Sequence, residues 1–85
     1  MTRTIEVAFS ILIKVHGSMK EFNFRKRSDN LFDVNTNDEY SARSYFHLQK
    51  EDNGHWRILG QSLPAWLLRN EAMVSEALEK KLQVT

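Results

Sequence analysis

The chain has 85 residues, 41% hydrophobic and 27% charged, with 12 Lys and Arg against 11 Asp and Glu for a formal net charge of +1. That size gives one modest core; five Phe, two Trp and two Tyr argue against disorder, and three Gly with one Pro exclude a collagenous or low-complexity chain. The absence of cysteine removes disulfides, thiolate metal sites and thiol nucleophiles, and the near balance of charge selects no partner by global electrostatics.

Ile5, Val7, Phe9, Ile11, Ile13 and Val15 alternate with Glu6, Ala8, Ser10, Leu12, Lys14 and His16. A period of two over this length predicts a strand with one buried face, about residues 4–15. The polar residues inside the run and its length argue against a secretory signal or a membrane span, so the expected setting is the cytoplasm, with no membrane partner. Gly17-Ser18-Met19 resembles a vector junction ahead of a start methionine, but expression tags are not alternating Ile/Val/Phe strands, and the segment matches the apolar pattern of the next strand.

A second strand, about 19–27, carries Phe22 and Phe24 on one face. With Gly17-Ser18 as a two-residue turn, His16 lies opposite Met19, Ile13 opposite Phe22 and Ile11 opposite Phe24, and the large apolar side chains share a face. A three-residue loop at Ser28-Asp29-Asn30 pairs Phe24 with Val34 and Lys26 with Phe32. The third strand, about 31–35, closes on the polar turn formers Thr36 to Glu39.

The fourth strand, about 41–50, places Ala42, Ser44, Phe46 and Leu48 on one face, and the fifth, about 55–60, does so with Trp56 and Ile58. A two-residue Asn53-Gly54 turn between them would send Trp56 and Ile58 to the far side. A three-residue loop, with Gly54 left-handed at a bulge, instead sets Leu48 against Ile58 and Lys50 against Trp56, and is preferred.

After Gly60 the period lengthens. Leu63, Trp66, Leu67, Met73, Val74, Ala77, Leu78 and Leu82 recur at three- and four-residue steps, predicting an amphipathic helix over about 63–83. Ser62 or Leu63 caps it and Pro64 lies in its first turn, where a missing N–H costs nothing. Asn70 interrupts the stripe and either kinks or divides the helix. Trp56 and Trp66 are expected to join the fifth strand to it. The expected fold is α+β: an antiparallel β-meander of about five strands with one C-terminal amphipathic helix packed on one face. Without repeat or linker, residues 1–85 read as a single domain.

No nucleophile elbow, GxGxxG or Walker-type GK[ST] occurs, and His16, His47 and His55 form no HxH or HxxxH pair. Asp52 beside His55 is the nearest carboxylate–imidazole combination in sequence, at a polar hairpin tip. No catalytic residue, metal or cofactor is assigned, and the chain is not expected to be an enzyme.

The sheet face turned from the helix is more informative. The registers place Asn23, Arg25 and Arg27 there from the second strand, Arg43, Tyr45, His47 and Gln49 from the fourth, and His55, Arg57 and Leu59 from the fifth, together with Glu6 and Glu21. Arg25, Arg27, Arg43, Tyr45, His47 and Arg57 are the candidate binding residues. The expected function is a small non-enzymatic interaction module, a homodimer or the binder of a protein partner, acting through this face or through the apolar edge of the first strand. The alternative is a nucleic-acid-binding domain whose arginines meet phosphates while Tyr45 stacks on bases.

Overall fold

A computed structural model describes residues 8–37 and 43–83. Five strands, β1 (Ala8–Val15), β2 (Ser18–Ser28), β3 (Leu31–Asn37), β4 (Arg43–Lys50) and β5 (Trp56–Leu59), form one antiparallel sheet in the order β1-β2-β3-β4-β5. Helices α1 (Ala65–Arg69) and α2 (Glu71–Gln83) follow. This is the expected α+β meander with a C-terminal helical segment on one face. Among the described residues no helix is long and apolar enough to cross a membrane. The expected beginnings of the first and fourth strands, residues 4–7 and 41–42, lie outside the described residues, as do Glu6 and Glu39.

Parity holds throughout the sheet. Ile13, Val15, Phe22, Phe24, Phe32, Val34, Phe46, Leu48, Trp56 and Ile58 are buried on the inner face with Leu67, Val74 and Leu78 of the helices, and Phe9 and Ile11 pack against them half-buried. Aromatic rings run from strand to strand across this core: Phe9 stacks on Phe24 at 5.3 Å, Phe24 meets Phe32 edge-on at 6.3 Å, and Phe32 meets Trp56 edge-on at 5.4 Å. Thr36 does not belong to a closing turn. It extends β3, is buried beside Phe22, and its hydroxyl donates to the Glu21 carbonyl at 2.9 Å.

The hairpins differ instructively from expectation. The first turn is His16-Gly17, not Gly17-Ser18: both residues have positive φ, 51° and 81°, as a type I′ turn requires. Ile11 therefore pairs with Phe22 and Phe9 with Phe24, two residues from the expected register and with the same sides inward. In the second hairpin Phe24 pairs with Val34 and Lys26 with Phe32 as expected, but Ser28 pairs with Leu31, so the turn tightens to Asp29-Asn30 and the extra residue is a bulge at Arg27. The β4–β5 loop matches the expectation: Gly54 has φ +88°, Leu48 pairs with Ile58, and Lys50 with Trp56.

The helical segment divides at Asn70. Its side-chain amide donates to the Trp66 carbonyl at 2.6 Å, ending α1, and its own carbonyl accepts the first α2 bond from Val74 N–H. Pro64 stands at the N-cap rather than inside the first turn, and no side chain caps α1. Met73, expected in the apolar stripe, is exposed, while Ser75 is buried. The reason lies at β5. As an edge strand it turns the N–H groups of Trp56 and Ile58 away from β4, and α2 covers them: Trp56 N–H donates to Ser75 Oγ at 2.9 Å and Ile58 N–H to Glu71 Oε2 at 2.9 Å. The helix rotates to bring these acceptors to the edge, which swings Met73 outward. Trp66 packs edge-on against Phe22 of β2 rather than joining β5. Because α2 also packs on β1, at the opposite edge, the sheet curls around the helix and leaves its outer face open.

Candidate functional site

The inward choice of Phe32, Val34, Phe46 and Leu48 fixes what points outward from the central strands: Asp33 and Asn35 from β3, and Arg43, Tyr45, His47 and Gln49 from β4. Antiparallel pairing sets Asp33 opposite Arg25 on one side and His47 on the other, and Asn35 opposite Asn23 and Tyr45. The six candidate residues all emerge on this open face. They are not equivalent.

Asp33 organises one group. Its Oδ2 accepts from Arg27 Nε at 2.8 Å, and its Oδ1 lies 2.7 Å from His47 Nδ1. An ionised carboxylate can only accept, so Nδ1 of the imidazole carries a proton and Nε2 is turned away from Asp33. Arg27 reaches Asp33 from the bulge, an example of an extra residue re-aiming a side chain. Asn35 organises a second group. Ser10 Oγ donates to Asn23 Oδ1 at 2.6 Å, Asn23 Nδ2 donates to Asn35 Oδ1 at 3.0 Å, and Arg43 donates to the same Asn35 oxygen. This polar ladder crosses four strands. Arg43 is thereby fixed by a neutral amide, which orients the guanidinium without cancelling its charge.

Between the two groups lies a groove of about 690 Å³, lined by Arg25, Asp33, Asn35, Tyr45, His47 and Gln61. Tyr45 is 69% exposed, the most exposed of the large hydrophobic side chains described. Arg57 is on the open face but outside the groove, and it turns to Glu51 of the β4–β5 loop at 3.5 Å. His55 leaves the face altogether. Its Nε2 lies 2.7 Å from Glu71 Oε1, because α2 runs along the edge where β5 begins. Asp52, its sequence neighbour, is exposed, and no ion pair or hydrogen bond joins the two side chains.

The titration of the Glu71 carboxyl is displaced. Burial pushes its pKa up, but the His55 hydrogen bond, the Ile58 N–H and the charges of His55 and Arg57 together outweigh burial and hold it below the ordinary carboxylate value.

The arrangement offers cations, an imidazole, amides and an exposed ring. Among the described residues no group of three or more His, Asp or Glu is placed to hold a metal ion. Sequence reasoning missed Asp33 and Asn35, which hold Arg27, His47 and Arg43 in place. Their outward orientation follows from parity in β3, but which β4 residues they meet depends on a register set across residues 38–42, where no apolar match constrains it. Glu71 was hidden for a similar reason, since only the packed position of α2 brings it to His55. Comparison with protein-family models, curated proteins and solved structures finds no match to this chain, so the functional argument rests on these residues.

Proposed function

We propose that the chain is a small non-enzymatic binding module that takes an anionic ligand on the open face of its sheet, against Arg25, Arg43 and His47 with Tyr45 as the central contact. The observation that carries this reading is the exposed Tyr45 ring standing in a row of side chains already ordered by Asp33 and Asn35. Exposed ion pairs contribute only about 0–1 kcal/mol each to stability. A cross-sheet array of this kind therefore adds little to the fold, yet it fixes side chains before a ligand arrives and lowers the ordering cost of binding. Among the described residues the groove lining offers the His47 imidazole and the Arg25 guanidinium but no serine, threonine or cysteine beside them, which favours binding over nucleophilic catalysis.

Backbone amide shifts in a titration of the full chain with heparin at low salt test this reading. Perturbations are expected to cluster on the outward residues of β2, β3 and β4, and Arg25→Glu with Arg43→Glu should abolish them while thermal stability stays within about 1 kcal/mol, as for exposed positions. Shifts confined to α2, or binding unchanged in the double variant, would remove the open face as the site.

A second surface is supported by its own observation. In a two-residue hairpin the closing pair Val15–Ser18 exchanges both backbone bonds, so Ile13, Ile11 and Phe9 face β2 while the N–H and C=O groups of Ala8, Ser10, Leu12 and Lys14 point outward along the sheet edge. Leu12 and Met19 are exposed beside that edge, at 62% and 58%. A second copy of the chain, pairing β1 with β1 about a two-fold axis, is the proposed occupant.

A further inference from the structure

We infer, resting on the open-face reading, that the anionic ligand is single-stranded nucleic acid. Arg43, Tyr45 and His47 point outward from alternate positions of β4, and a strand advances about 3.4 Å per residue, so guanidinium, ring and imidazole recur at steps of about 7 Å. A chain that sets a base on the Tyr45 ring must present that base unstacked and unpaired, because inside a duplex both faces of each base are already covered by its neighbours. Its phosphates then lie towards Arg43 and His47 on either side. The phenol ring is what separates this ligand from an acidic peptide. Carboxylates need only the cations, whereas every base has a π-face that stacks on an exposed aromatic side chain whatever the sequence.

The neighbouring groups of the open face fit the same ligand. Arg43 keeps its full charge, since the partner that fixes it is the Asn35 amide. His47 is held on Asp33 through Nδ1, so Nε2 faces away from the carboxylate, where the imidazolium form donates to a phosphate and the neutral form accepts from a base edge. Gln61 at the rim carries both a donor and an acceptor, which suits a base edge, and a peptide carboxylate would use only the donor. The sheet curls around α2, so its outer side is a surface over which a flexible strand can lie.

Fluorescence anisotropy of labelled ten-nucleotide oligouridylate and oligothymidylate, a ten-base-pair duplex and a polyglutamate peptide, each titrated with the full chain, tests this. Both single strands are expected to bind at least tenfold more tightly than the duplex or the peptide. With two or three phosphates neutralised, affinity should fall roughly 7- to 20-fold between about 50 and 200 mM salt. Tyr45→Ala should weaken binding at least about fivefold with an unchanged salt slope, Tyr45→Phe should retain it, and Arg43→Gln should reduce the slope by about 0.7. Preference for oligouridylate assigns the ligand to RNA, and equal affinity to single strands of either kind. Duplex or polyglutamate binding as tightly as the oligonucleotides, or Tyr45→Ala without effect, overturns the inference and leaves an open face that binds anions generally. Failure of every probe, heparin included, removes the face as an anion site as well.

Discussion

Glu71 ties α2 to β5 through both of its carboxylate oxygens. One carboxylate oxygen accepts from the Ile58 N–H at the sheet edge, the other meets His55, and the residue opens α2, where a negative charge favours the helix dipole. Its pKa is lower in the folded chain than when unfolded, so its contribution is complete above the ordinary carboxylate range and disappears as pH falls through the lowered folded value. Glu71→Gln keeps a carbonyl acceptor for Ile58 but loses the charge, and is expected to lower stability by about 1–2 kcal/mol near neutral pH. Urea unfolding of both chains should show the gap closing as the pH is taken down to about 3. A gap that persists undiminished into acid would place the effect in packing rather than in the charge. None of this was visible along the sequence, where Glu71 is 16 residues from His55.

The elements were legible to the degree that parity could decide between alternatives. For β4 and β5, a two-residue turn and a three-residue loop put Trp56 and Ile58 on opposite faces, so the apolar pattern chose correctly. For β1 and β2 it could not choose, because a shift of two residues leaves each face unchanged, and only the backbone of His16 and Gly17 settles the matter. The helix break at Asn70 was marked by a polar residue in an apolar stripe, but the rotation of α2 that buries Ser75 depends on the N–H groups of β5. Gly54 offers a direct check on the loop. Its φ of +88° suits glycine alone at little cost, and a Cβ there would meet nothing within 4 Å. Gly54→Ala should therefore cost only the backbone strain, about 1 kcal/mol, lowering Tm by roughly 4–8 °C. An unchanged Tm would mean that the loop does not hold this conformation.

At the scale of the whole molecule, the two edges of the sheet are treated differently. Ser75 and Glu71 of α2 accept the outward N–H groups of β5, so that edge offers no template for another strand. Among the described residues, β1 is hydrogen-bonded only to β2, and α2 packs on it from the core side. Its free row of N–H and C=O groups lies beside Leu12 and Met19, each worth about 1.5–3 kcal/mol when fully buried. A chain of 10.0 kDa has a small core for its surface, so burying these side chains against a second copy brings a proportionately large gain. Sedimentation equilibrium at tens of micromolar should accordingly give a mass above 10.0 kDa, rising with concentration. Leu12→Lys, which puts a charge on the edge without touching the core, should return the mass to that of one chain with thermal stability at low concentration changed by less than about 0.5 kcal/mol. If the unaltered chain sediments as a single copy across that range, β1 is not a self-pairing edge, and of the two proposed surfaces only the open face is left to test.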